Sequence, residues 1–121
     1  EVSGIDISTY AIENCKQELS DSLRVGNANN LPFEDNCFDY VFSINTFHNL
    51  HCFDLELALV EMNRVSKKDQ YICIESYRNE IEKANLLYWQ VTCEAFNNPE
   101  EWKWWFEKMG YSGDHSFIFF E

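Results

Sequence analysis

The sequence predicts an α/β fold built on a largely parallel sheet, and three observations carry that expectation. Short apolar runs of strand length alternate with segments whose apolar residues repeat at helical spacing. Several of the runs end in a polar group just where a loop begins, as strands do when they point their carboxyl ends at a ligand. No repeat and no long linker divides the 121 residues, so residues 1–121 read as one domain.

Val2-Ser3-Gly4-Ile5-Asp6-Ile7 reads as a short strand ending in a carboxylate, after which Ser8 or Thr9 can cap a helix. In that helix Ile12, Cys15 and Leu19 share a face. Leu23-Arg24-Val25 is a second strand, followed by the polar loop Gly26-Asn27-Ala28-Asn29-Asn30 and a turn-rich link through Leu31-Pro32-Phe33 and Glu34-Asp35-Asn36. Phe38 to Ile44 is a third strand, whose apolar run suits burial on both faces. Leu55, Ala58, Leu59, Met62 and Val65 stripe a helix from Asp54 to Val65, and Lys67-Lys68 place positive charge at its end. Tyr71 to Glu75 is a fourth strand, again ending in a carboxylate. Ile81, Ala84, Tyr88, Val91 and Ala95 stripe the next helix, from about residue 79 to 96. After Pro99, Trp102, Trp105, Phe106 and Met109 share the inner face of a last helix that Gly110 ends, and Trp104 falls off that stripe toward solvent. Ser116 to Phe120 completes the set of strands.

Composition narrows the partners. Acidic residues outnumber Lys and Arg by 21 to 9, a formal net charge of −12. Binding a polyanion means neutralising phosphates with basic side chains, and there is no basic stripe, so nucleic acid and an anionic membrane surface are both disfavoured. No apolar run approaches the roughly 18 residues that span a bilayer. The five cysteines are odd in number and form no C-x-x-C pair, which fits free thiols in a reducing cytoplasm. His48, His51 and Cys52 have ligand chemistry but no matching second pair, and no metal is expected.

Three polar groups fall at strand carboxyl ends: Asp6, the Gly26-Asn27-Ala28 loop, and Ser43-Ile44-Asn45-Thr46-Phe47-His48. A strand-end carboxylate can accept hydrogen bonds from both hydroxyls of a ribose, and a side-chain amide can both donate to and accept from the edge of an adenine. The chemistry alone points to a nucleoside-type site. Asp6 could also be no more than a helix-capping carboxylate.

Beyond the chemistry, the order of the motifs resembles a known family. Asp6 after Val2-Ser3-Gly4-Ile5, then Gly26-Asn27-Ala28, Leu31-Pro32-Phe33, Phe38-Asp39-Tyr40-Val41-Phe42-Ser43, Phe47-His48-Asn49-Leu50 and Glu61-Met62-Asn63-Arg64-Val65 follow the pattern of class I S-adenosylmethionine-dependent methyltransferases of the type 11 group. The resemblance implies a Rossmann-like sheet with helices on both faces, S-adenosylmethionine as cofactor and a small-molecule methyl acceptor. It implies that Asp6 binds the ribose, Ile7 packs beside the adenine, Asn27 and Ala28 sit at the adenine edge, and Ser43, Ile44 and Asn45 line the methionine portion. Asn27 stands where the family usually has Asp, and Lys67-Lys68-Asp69-Gln70 replaces a Lys-Pro-Gly-Gly turn. His48 is the leading candidate for a general base and Glu75 the second, with a polar residue in the turn as the plain alternative for His48. The 79–96 helix is expected over the acceptor, with Tyr77, Arg78, Tyr88 and Trp89 as contacts.

One departure has structural consequences. The family's first strand and glycine loop would precede Glu1, and that strand lies between those at 2–6 and 38–44. The expectation is therefore a partial domain with a gap there, filled by an upstream segment or by strands of a second copy in a homodimer. A non-catalytic α/β interaction module is the rival reading, and a nucleotide-binding oxidoreductase a further one.

Overall fold

The computed structural model describes residues 1–121. Five strands and four α-helices follow one another as β1 (Gly4–Asp6), α1 (Thr9–Glu13), β2 (Leu23–Val25), β3 (Phe38–Ile44), α2 (Cys52–Val65), β4 (Ser66–Ser76), α3 (Glu80–Trp89), α4 (Pro99–Lys108) and β5 (Asp114–Phe119). Every strand pair is parallel, as the alternation of elements requires. The strands divide into a two-stranded sheet, β1-β2, and a three-stranded sheet in the order β3-β4-β5. No ladder joins β1 to β3, so the expected gap lies between them.

Local chemistry explains most of the element boundaries. Ser8 caps α1 by accepting from the Ala11 N–H at 3.1 Å. Asn98 and Glu101 form a reciprocal capping box at the start of α4, with Pro99 in its first turn, where the missing N–H costs nothing. Gly110 follows that helix at φ +70°, a conformation an L side chain would strain. Gly4 lets β1 lie close on β2, since a Cβ there would stand 2.7 Å from the Leu23 side chain.

The core lies on one face of the three-stranded sheet. Leu55, Ala58, Leu59 and Met62 of α2 meet Ile72 and Ile74 of β4 and Trp102 and Phe106 of α4, all nearly or fully buried. Each of the larger of these side chains, from Leu55 to Phe106, stabilises by about 1.5–3 kcal/mol relative to exposure, and the Ala58 methyl by less. A smaller cluster of Tyr77, Leu86 and Cys93 seats α3 and the chain after it. Trp104 is exposed, as its place off the α4 stripe predicts.

Three expectations are corrected. Burial of β3 on both faces does not occur: Val41 packs on the core, whereas Tyr40, Phe42 and Ile44 are 55, 56 and 53% exposed on the opposite side. The Ile81, Tyr88 and Val91 stripe faces solvent, and α3 ends at Trp89. Its inner side carries Leu86 and the carboxylate of Glu82, which the Arg78 backbone N–H and guanidinium draw inward. Finally, Lys67 to Gln70 make no turn. Without Pro-Gly-Gly the chain passes directly into β4, which has one extra residue opposite Asp39 at Lys67–Lys68 and is held by its ladder to β3 and by Lys67 on Asp39 at 2.8 Å.

Candidate functional site

The gap between the two sheets opens into a cleft of about 450 Å³. That volume falls in the roughly 300–1,000 Å³ range of small-ligand sites. Its walls are the whole of β1 with the residues flanking it, the loop after β2 from Gly26 on, most of β3 and the segment after it, and Ala58, Met62 and Val65 of α2. The lining is mainly apolar, with few polar groups at its rim.

Asp6, Ile7, Asn27, Ala28, Ser43 and Ile44 all line this cleft, although three separate chain segments supply them. At the β1 tip, Asp6 Oδ1 accepts the Ser8 N–H at 2.8 Å, so one carboxylate oxygen holds the turn into α1. The capping role and a ligand role are thus compatible on one side chain. Ile7 is 72% exposed beside it. Asn27 Oδ1 accepts the Asn29 N–H at 3.0 Å, an Asx turn that shapes the loop. Ala28 also touches the core behind the cleft.

Asn45 is the exception, because it does not line the cleft. It adopts φ +54°, a left-handed conformation that Asn tolerates better than most residues, and turns the chain off β3. Its N–H still reaches Cys73 O at 3.0 Å. The next residue, Thr46, lines the cleft instead, together with Leu31 and Phe33. Leu31 and Phe33 stand in one of the family's motifs, but their apolar character does not mark them as cleft wall, and only the fold brings them together with Thr46.

His48 and Glu75 stand side by side outside the cleft wall, at the tips of β3 and β4. His48 Nε2 lies 3.1 Å from Glu75 Oε2, with both side chains at least 96% buried. His48 Nδ1 faces the Glu75 N–H at 3.4 Å, which assigns the imidazole proton to Nε2. The Nε2 contact runs off the line of a well-directed hydrogen bond and leaves Oε2 without a full partner. Gln90 Nε2 donates to the other oxygen at 2.8 Å. Burial lowers His48 to about 4. Burial likewise raises Glu75, partly offset by Gln90. The imidazole is therefore neutral near pH 7. The His48 carbonyl also accepts the N–H groups of Glu94 and Ala95, each at 2.9 Å, tying the segment after α3 to this corner.

Comparison with known proteins places this arrangement. The profile of the methyltransferase domain family matches residues 1–74. The demethylmenaquinone methyltransferase of Staphylococcus haemolyticus is 32% identical over 117 residues, covering 86% of this chain and 48% of that protein. The protein of the same name from Staphylococcus aureus strain JH9 is 33% identical over the same extent. The chain spans about half the length of the curated relatives it matches. Among solved structures, the Bacillus subtilis YcgJ protein shares the fold at a TM-score of 0.69 and 20% identity, over 90% of this chain and 51% of that one. A Thermotoga maritima SAM-dependent methyltransferase shares it at 0.59 and 23%, over 91% and 64%. With a match over more than half its length, and with the strand order and strand-tip groups described above, this chain belongs to the methyltransferase domain family.

Proposed function

We propose that the cleft takes S-adenosylmethionine and that the protein transfers a methyl group to a small-molecule acceptor. The observation that carries this reading is the convergence of Asp6, Ile7, Asn27, Ala28, Ser43 and Ile44 on one cleft. The donor set suits the cofactor. Asp6 offers carboxylate oxygen to a ribose, Asn27 an amide to an adenine edge, and Ile7, Ala28 and Leu31 apolar surface to its ring. Ser43 and Thr46 supply hydroxyls toward the β3 tip, where the methionine portion belongs. When bound, the cofactor supplies a methyl group already activated by its sulfonium. The chain's own task is to orient the two reactants and exclude water.

The acceptor side lies beyond the tips of β3 and β4. The names of the Staphylococcus relatives suggest a quinone-type ring carrying an apolar tail. The exposed Tyr88, Trp89 and Val91 offer such a molecule an apolar landing surface. We assign His48 and Glu75 to this end of the site, where a proton leaving the acceptor reaches them only if Gln90 and its segment move aside. The uneven cysteine count supports a cytoplasmic setting. No helix is long and apolar enough to cross a membrane.

Titration calorimetry tests the reading, using S-adenosylhomocysteine and the protein expressed from its complete reading frame. Absence of heat at millimolar ligand would sink it. Asp6→Ala is expected to weaken binding by about 1–3 kcal/mol, the usual loss for hydrogen bonds to a charged group. Asp6→Asn, which can still accept from Ser8, separates the turn from the ligand contact. If both variants bind as wild type does, the carboxylate serves only the turn.

A further inference from the structure

One edge of α2 carries three polar side chains that reach across to the loop bearing Asn27 and Ala28. Asp54 Oδ1 accepts from Asn29 Nδ2 at 2.7 Å. Two helical turns on, Glu61 Oε2 accepts the Leu31 N–H at 2.7 Å. Arg64 then uses its whole fork: Nη2 donates to Leu31 O at 3.0 Å, Nη1 to Phe33 O at 2.7 Å and to Asp35 Oδ1 at 2.8 Å. Its Nε donates to Glu61 Oε1 at 2.7 Å, and Nη2 also to Glu61 Oε2 at 2.8 Å. Helix, ion pair and loop backbone form one clamp.

We propose that this edge of α2 sets the adenine-recognition loop in its binding position, making Glu61 and Arg64 positioning residues for cofactor affinity and base selectivity. The inference rests on the cofactor reading above and deepens it. Residues 26–35 belong to no helix or strand ladder, and none of them is buried. Their conformation therefore rests on short local turns, such as the Asn27 turn and the Asn27–Asn30 bridge, and on the polar contacts that anchor the loop to α2. Leu31 shows the dependence best, because both its N–H and its C=O are held by the Glu61–Arg64 pair. The same loop supplies five cleft residues: Gly26, Asn27, Ala28, Leu31 and Phe33.

The two functions of such a clamp separate physically. The Arg64 and Glu61 side chains are 28% and 15% exposed, and an ion pair open to solvent contributes less to global stability than the buried apolar core does. Binding is more sensitive, because apparent affinity falls in proportion to the fraction of molecules whose loop is competent. A lysine retains the charge of Arg64 but cannot span two carbonyls and two carboxylates with a rigid fork. Glutamine at position 61 keeps the acceptor for Leu31 but loses the charge that orients the guanidinium.

The test measures calorimetric affinity for S-adenosylhomocysteine and for its inosine analogue, using the protein from its complete reading frame. Arg64→Lys and Glu61→Gln are expected to weaken adenosyl binding by about tenfold and to narrow the adenosine-over-inosine preference, with little change in the unfolding midpoint. Lys67→Ala, which breaks the exposed Lys67–Asp39 pair away from the loop, should leave both affinities unchanged. Unchanged affinity and selectivity in both clamp variants would overturn the proposal. So would a loss of unfolding midpoint with an unchanged preference between the two ligands. Should the variants not fold, amide hydrogen exchange on the wild type decides: a Leu31 amide that exchanges as fast as its loop neighbours overturns the clamp. Wild-type protein that binds neither ligand removes the cofactor reading as well, whereas binding wild type with indifferent variants removes only this one.

Discussion

The two halves of the molecule are held together in different ways. All 21 buried residues lie between Phe47 and Tyr111, whereas none of the first 46 residues is buried. In the later half, α2 and α4 press large apolar side chains onto β4. In the earlier half, β1, α1 and β2 are short, and the loop after them hangs on ion pairs and amide hydrogen bonds to α2. The candidate cofactor residues stand mainly on the weaker half, and His48 and Glu75 are in the stronger. Stability and ligand chemistry are thus unevenly divided, and regions that must open to ligands are commonly the ones with few buried contacts.

The largest expected effect attacks the stronger half. Trp102 is fully buried and its ring stacks 6.3 Å from that of Phe106. Trp102→Ala should cost about 3–5 kcal/mol by urea unfolding, against less than about 1.5 kcal/mol for Ile5→Ala in β1. Equal losses would mean that Ile5 is packed as firmly as Trp102 and that the contrast is false.

Acid should weaken the same half through His48. The unfolded chain takes up a proton near 6.5 that the folded imidazole refuses until about 4. Stability is then full above about pH 6.5 and declines as pH falls toward 4, by up to about 3 kcal/mol. Glu75, raised by burial, acts in the opposite sense: the folded chain keeps a proton that the unfolded chain gives up, which reduces the net fall. Urea midpoints across this range should show the decline in wild type and lose it in His48→Asn. The same variant's turnover on a true acceptor checks the acceptor-side assignment, which an unchanged rate would remove.

The smallest expected effect concerns α3. Ile81 is 73% exposed, so Ile81→Ser should change stability by no more than about 0.5 kcal/mol. A loss above about 1.5 kcal/mol would place that stripe in a covered interface.

Legibility in the sequence followed the range of the forces involved. The α4 boundaries were readable because Asn98, Pro99, Glu101 and Gly110 act on backbone within one or two turns. The α2 stripe was readable because Leu55, Ala58, Leu59 and Met62 repeat at the helical period. The α3 stripe has the same period but the opposite outcome. Periodicity reports that an apolar face exists, not what covers it, and here Arg78 turned Glu82 inward instead.

The sequence by itself determined the order of elements, the parallel α/β class and the strand-tip residues of the cleft, since caps, periodicity and motif spacing are local. Only the tertiary structure decided that Asn45 turns the chain while Thr46 faces the cleft, that His48 and Glu75 share one buried corner, and that Arg64 grips the loop some thirty residues before it. Each of these rests on distances between segments far apart in the chain, which are set when α2 and β4 pack and carry no signature in neighbouring residues.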